Sequence, residues 1–445
     1  MRKWFYGLNF ALLATFVYAY YLDFTPEWKG YQRIYFKMAS AAAAKAGAAE
    51  KDPAKAKILT EQAVSLGRAG MEIKQILPRG LDRADRCITC HVGMDEYANP
   101  TMVNDFKENP YKSHPKLDLL VKNHPFTKFG CTVCHEGQGL ALTTKDGHGR
   151  IHNWERPILE GKLVQGSCIR CHAGFATLKG AEFAAKGAKL FQQHGCQGCH
   201  AIRGVGGIIS VDLGNIADKP LERIAGFNFS RVMRDGKPLH HEDWNIQNWI
   251  RGHLTNDPIE VTPNDPHKKF NTEPIAPSGM PDFRDELGKE GAEAITAYLM
   301  SMTDEHVPNN FYVHASPPPE PKFADSLSRG KHIFEKYGCT GCHGLNGAQG
   351  RRNYNAMGPG QQDPDKDMDK GREPTLVDVV GTYTKEELMA KIAIGVPSSA
   401  VNKFNPDGPV PPLYMPPWKD KISDKDMEDL ASWLLSIAKK DTSGF

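Results

Sequence analysis

Cys168-Ile169-Arg170-Cys171-His172 and Cys196-Gln197-Gly198-Cys199-His200 stand 28 residues apart and share one spacing, two cysteines separated by two residues with histidine directly after the second. Three further copies occur, Cys87-Ile88-Thr89-Cys90-His91, Cys131-Thr132-Val133-Cys134-His135 and Cys339-Thr340-Gly341-Cys342-His343, and the five together use all ten cysteines of the chain. The spacing has a mechanical reason. Two thiols three positions apart add to the two vinyl groups of one haem, and the next residue turns its imidazole onto the iron. Each motif is therefore read as a covalent haem c site, five in all.

A single Cys-x-x-Cys also suits a zinc half-site or a redox dithiol. Zinc ribbons pair their knuckles and ask for no histidine after the second cysteine, and a disulfide scaffold would not repeat one local spacing five times. The chain thus resembles a pentahaem c-type cytochrome, with His91, His135, His172, His200 and His343 as the proximal iron ligands.

At 445 residues the chain is too long for one compact core. A net charge of +2, with no Lys/Arg-rich run and no glycine-rich phosphate loop, excludes a strongly basic nucleic-acid binder. Glycine and proline make 73 residues, so long ordered loops are expected around the cofactors. The fold class expected is mainly α: a transmembrane helix (1–25), a helical stalk (26–80), a loop-rich trihaem segment (81–179) and two tandem helical haem domains (180–305 and 326–445) joined by a proline-rich linker (306–325).

The start, Met1-Arg2-Lys3, leads into an apolar run from Trp4 to Phe24, about the length of one membrane span. A cleaved signal peptide is the competing reading, with Val17-Tyr18-Ala19 a tolerable cleavage site. The length of the run favours a retained anchor. Arg2 and Lys3 then place the N-terminus in the cytoplasm and the haem domains on the periplasmic side. Behind the anchor, 27–49 and 54–77 read as two helices, the first with Trp28, Tyr31, Ile34, Tyr35 and Met38 at the spacing of one face. That face is either ordinary packing or a docking surface for a membrane partner.

The trihaem segment offers His114, His124, His148 and His152 as sixth ligands. His114-Pro115 and His124-Pro125 are favoured because proline stiffens the chain after the imidazole and keeps it out of a helix. The expected set is His114, His124 and His152, with His148 in reserve for the last.

The two C-terminal segments read as copies of one unit. Gly187-Ala188-Lys189-Leu190-Phe191 precedes Gly195-Cys196 just as Gly330-Lys331-His332-Ile333-Phe334 precedes Gly338-Cys339. Met280-Pro281-Asp282-Phe283 answers Met415-Pro416-Pro417-Trp418, and an aromatic residue follows 18 positions after each methionine, Tyr298 and Trp433. The arrangement is similar to the single-haem cytochrome c domain, with an N-terminal helix ending at the haem motif, a Met-Pro loop and a C-terminal helix crossing the first. That resemblance implies that Met280 ligates the iron of His200 and Met415 that of His343. Between the copies, Pro317-Pro318-Pro319-Glu320-Pro321 reads as a stiff spacer. The alternating Asp363, Asp365, Asp367 and Asp369 read as a solvated charged loop in preference to a calcium site, since the glycine and bidentate glutamate of such a site are missing.

As a whole the chain, including Phe129-Gly130-Cys131 through Gly139, resembles the membrane-anchored cytochrome c subunits of bacterial quinol-oxidising complexes, of the cytochrome bc type or alternative complex III. The resemblance implies electron transfer from a cytochrome b-like or other quinol-oxidising membrane partner to a soluble carrier or an oxidase. It implies no catalytic residue of the chain's own. A multihaem enzyme with one open-site haem and a free-standing anchored shuttle are the other two classes kept.

Overall fold

A computed structural model describes residues 2–95, 103–151, 154–224, 227, 229–256, 280–281, 283–316, 321–348, 350, 375–397 and 414–439. It is mainly helical, with two short antiparallel hairpins as the strand pairs among the described residues. The chain divides into two compact units, 1–159 and 160–445.

The first unit opens with α1, Arg2–Phe24, none of whose residues is buried and which is long and apolar enough to cross a membrane. Thr25-Pro26 breaks the chain, and α2, Glu27–Ala49, follows. The next helix, α3, Pro53–Gly67, starts where Asp52 accepts a hydrogen bond from the Ala54 amide at 2.9 Å and proline takes the first helical position. It pairs with α2. It does not run to residue 77: after Gly67 the chain leaves the helix, and Ile76 pairs with Asp85 in an isolated β-bridge.

The buried side of α2 is Trp28, Gln32, Tyr35 and Phe36, with Tyr31 and Met38 partly buried against the same core; of the expected face Ile34 alone is exposed. Tyr35 and Phe36 form a core with Val92 and Tyr111, and Tyr35 meets the Phe106 ring edge-on at 5.8 Å. This face is therefore packing, and it packs on the residues that follow His91. Among the described residues the remainder of the unit is loops and short helical turns, in keeping with the glycine and proline content of the chain.

In the second unit, α4, Gln165–Cys171, carries the third motif and packs on α5, Glu182–Gln193, and on α7, Arg284–Leu299. The intervening helix α6 is Ile246–Thr255, capped by Asn245. The segment expected as one trihaem block, 81–179, is thus divided: its first two motifs lie in the first unit and its third in the second. The physical reason is Gly166, where a β-carbon would fall on the Ala297 carbonyl, so α4 sits directly on the backbone of α7.

The last domain has α8, Ser326–Lys336, with a capping box made by Asp325 and Ser328, α9, Lys385–Ile394, with one made by Thr384 and Glu387, and α10, Asp424–Ser436. The α5·α7 and α8·α10 crossings are equivalent. Gly187 lies against the Ala294 carbonyl and Gly330 against the Asp429 carbonyl. Beside them Phe191 meets Tyr298 at 5.7 Å and Phe334 meets Trp433 at 4.9 Å. In both copies a glycine lets the helices touch and an aromatic pair fills the next layer.

The linker is not a free spacer throughout. Phe311 is buried, and Val313 bridges to the third motif, donating its amide to Cys171 at 2.7 Å while its carbonyl accepts from Ala173 at 3.1 Å. The prolines 317–320 and the acidic loop 363–369 lie outside the described residues.

Candidate haem sites

The five motifs share one tight backbone turn. In every copy the histidine amide donates to the carbonyl of the first cysteine, at 2.9 to 3.0 Å. The thiols are only part-exposed. Burial pushes the Cys90 thiol up to about 11 and the Cys339 thiol up to about 12. Neutral, sheltered thiols are unlike the low-pKa thiolate of a redox dithiol. Among the described residues no three His, Cys, Asp or Glu side chains gather as a metal cluster would.

The first two motifs are held to each other. The Asp85 carboxylate, fully buried, accepts from the Cys131 amide at 2.7 Å and from Thr132. The neighbouring Cys87 side chain and burial together push the Cys131 thiol well above its ordinary range.

Two histidine pairs flank this region. The rings of His91 and His148 lie 6.3 Å apart between centroids, and those of His135 and His114 lie 6.0 Å apart. Two imidazole nitrogens each about 2 Å from one metal put the ring centres about 6 Å apart. Both spacings therefore fit an iron bound between the rings. Burial, with smaller contributions from neighbouring cations, lowers His91 to about 4, and burial lowers His135 to about 4, so both rings stay neutral and keep a lone pair for a metal. The buried Nδ1 of His91 has no hydrogen-bond partner among the described residues.

The elements that place these rings are short. His114 follows a turn at residues 108–112 and bonds the carbonyl of the next residue, Pro115, through Nδ1 at 2.7 Å. His148 ends the single turn Thr144–Gly147, whose first residue is gripped by the α2 side chain of Glu27: Thr144 donates its amide to Glu27 at 3.1 Å and its hydroxyl at 2.5 Å. His124 donates Nδ1 to the Leu120 carbonyl at 3.0 Å and lies 5.0 Å from the Phe129 ring. His148, held in reserve on sequence grounds, is the ring brought opposite His91, and His114 is brought opposite His135. His152 lies outside the described residues.

At the third motif the linker bridge fixes the chain on both sides of His172. Arg170 bonds the Met300 carbonyl at 3.3 Å and approaches Glu305 at 3.7 Å. The methionines after α7, Met300 and Met302, are buried in the core.

At the fourth motif His200 Nδ1 donates to the Val211 carbonyl at 2.8 Å, which fixes the ring and leaves Nε2 for the iron. Met280 is half-buried. A residue that the sequence reading missed stands here as well. His253 on α6 donates Nδ1 to Trp249 at 2.7 Å, stacks on Phe227 at 4.8 Å, and is lowered to about 4 chiefly by burial, with His200 and Lys219 also acting on it. Its signal was present: Trp249 and His253 are four apart on one face of an amphipathic helix just ahead of Met280.

At the fifth motif Met415 packs against the core of its domain, and its carbonyl accepts from the Val396 amide at 2.8 Å. Behind it Trp418 is buried and meets Tyr337 at 5.8 Å.

The Cytochrome c family pattern matches the chain twice, over residues 184–303 and 327–438, together just over half of its length. No curated protein and no solved structure matches it.

Proposed function

Because the chain belongs to the cytochrome c family, we propose that it is a pentahaem electron-transfer subunit that takes electrons from a quinol-oxidising membrane partner and passes them to a soluble carrier or an oxidase. Bound haem supplies the one-electron ferric/ferrous couple. The chain's residues attach it, fill its axial positions and tune its potential.

The observation that carries the reading is the pair of His–His separations, 6.3 Å for His91 and His148 and 6.0 Å for His135 and His114. An iron with imidazole on both faces has no open position for substrate, which suits electron transfer and disfavours catalysis at those sites. His172, with a ligand outside the described residues such as His152, is read in the same class. Met280 and Met415 are proposed as the sixth ligands of the last two haems.

The membrane side of the reading rests on α1 and α2. Glu27, Tyr31 and Gln32 lie within two turns of the end of the apolar helix, and all three bond residues that frame the first haem site, Thr144 or Thr89. If α1 is the anchor, with its N-terminus cytoplasmic, the first haem site is the one tied directly to the residues that follow the anchor, and it is proposed as the point of entry.

Mild detergent extraction tests the reading. Co-purification with a cytochrome b-like or other quinol-oxidising membrane protein, and five haems per chain, are expected. A lone pentahaem chain would mean a free anchored shuttle, and a high-spin ferric signal from the intact protein would mean an enzyme with an open iron. Resistance to alkaline extraction is expected for the anchor; a mature N-terminus near Tyr20 would identify a cleaved signal.

A further inference from the structure

The haem-binding loops of the two C-terminal domains touch through backbone. Gly195 and Gly338 precede the first cysteine of their motifs, and Gly198 and Gly341 precede the second. A β-carbon on Gly195 would strike the Gly341 amide, one on Gly341 the Gly195 carbonyl, one on Gly198 the Gly338 carbonyl, and one on Gly338 the Gly198 amide. The contact is reciprocal: the first glycine of each copy meets the second glycine of the other, as in a twofold interface. Gly195 and Gly338 also hold φ of 71° and 73°, a region closed to most side chains.

Side chains support the contact. Gln197 donates Nε2 across it to the Glu335 carbonyl at 2.9 Å while also bonding Gln192. Thr340, the counterpart of Gln197, is almost completely buried there, and its hydroxyl has no hydrogen-bond partner among the described residues.

We propose that this glycine contact is an electron-exchange junction, which holds the haem groups of the two cytochrome c domains as one coupled pair with Gly195, Gly198, Gly338 and Gly341 as its positioning residues. The thioether bonds are made by cysteines adjacent to those glycines, so the attached edge of each haem is anchored at the contact. With haem bound at both loops, the junction would let one electron pass from a ferrous to a ferric iron, with no bond formed or broken and no proton moved. The inference rests on the reading that both loops carry haem, which haem content tests separately.

Gly198→Ala and Gly341→Ala are made in the full haem-loaded chain, and haem content and optical spectra are measured first. With five haems retained, the proposal expects a slower exchange between the two methionine-class haems after photoreduction and a loss of the mutual shift of their potentials in redox titration. Unchanged exchange and an unchanged mutual shift in both variants would overturn it. Should either variant lose a haem, Gln197→Ala, which spares every glycine, is read by the same two measurements. Slower exchange again supports the junction, and an unaltered rate rejects it. Failure of the haem reading itself would show as haem missing from the unaltered protein.

Discussion

Gln32 on α2 donates its amide to the carbonyl of Thr89, inside the first Cys-x-x-Cys-His loop, at 3.0 Å. The same side chain donates to the Glu72 carbonyl at 2.7 Å and accepts from the Glu72 amide at 3.0 Å, and it is wholly buried. One residue of α2 thus ties the stalk, the returning chain and the first Cys-x-x-Cys-His loop together. Thr89 is clamped from its other side by Lys74, through bonds of 2.9 Å in both directions.

Gln32→Leu keeps the volume and strands those backbone groups. A buried group left unsatisfied costs about 1–3 kcal/mol. Thermal unfolding of the first unit should fall accordingly, and the potential of the first haem should move while the C-terminal haems keep theirs. A variant with unchanged melting and unchanged potentials would show that Gln32 has no such role.

His148→Ala and His114→Ala should each convert one haem to high spin, because each removes the ring facing a proximal histidine across about 6 Å. His124→Ala should leave the spin state unaltered, since that ring packs on Phe129 and bonds its own turn. Low-temperature electron paramagnetic resonance reads all three. A low-spin His148→Ala would remove the assignment for the first haem.

The difference between those histidines shows where the sequence stops being legible. The five motifs, the twofold repeat and the crossing glycines Gly187 and Gly330 could be read directly, because each rests on local spacing. The partner of His91 could not. His148 is brought into place by a turn whose first residue, Thr144, is held by Glu27, 117 positions earlier. Proline after His114 and His124 made those two look equivalent, and only the loop path separates them. The place of the third motif was hidden for the same reason, as its contacts are with α7 and with Val313, far along the chain.

Gly187→Val and Gly330→Val should destabilise their respective domains. Each adds a branched side chain where the opposite helix presents a carbonyl, and overpacking of this kind costs about 1–3 kcal/mol, while valine also sits poorly in a helix. Denaturant unfolding followed at the haem band should show one transition moved in each variant. Equal stability of variant and parent would mean that the helices can separate without loss.

His253 makes the fourth site a two-candidate site. Met280→Ala is expected to remain low-spin with a lowered potential if the buried imidazole of His253, kept neutral by burial, takes the vacated position. Met280→Ala with His253→Ala should be high-spin. If the single variant is already high-spin, His253 does not reach the iron and serves only as packing against Phe227 and Trp249.

The direction of electron flow follows from ligand type. Methionine in place of a second histidine raises the potential of a c-type haem, since the thioether favours ferrous iron. The haems of His200 and His343 should then lie above those of His91, His135 and His172, and electrons should run toward the C-terminal domains. The sequence suggested a last domain held off on a proline spacer. Instead, residues 311–313 are bound at the third motif, and the last domain is docked on its neighbour at the glycine loops. The fifth motif therefore lies against the fourth, and the proposed junction pairs their haems. Burial and nearby charge also tune each potential, so the test is a single-site exchange. Met415→His should lower one high-potential component and slow reduction of the acceptor, leaving reduction of the first unit by its donor intact. The partner at the docked face should respond by a change in its own midpoint. A titration in which Met415→His shifts nothing, or in which the N-terminal haems are the highest in potential, would reverse the proposed direction.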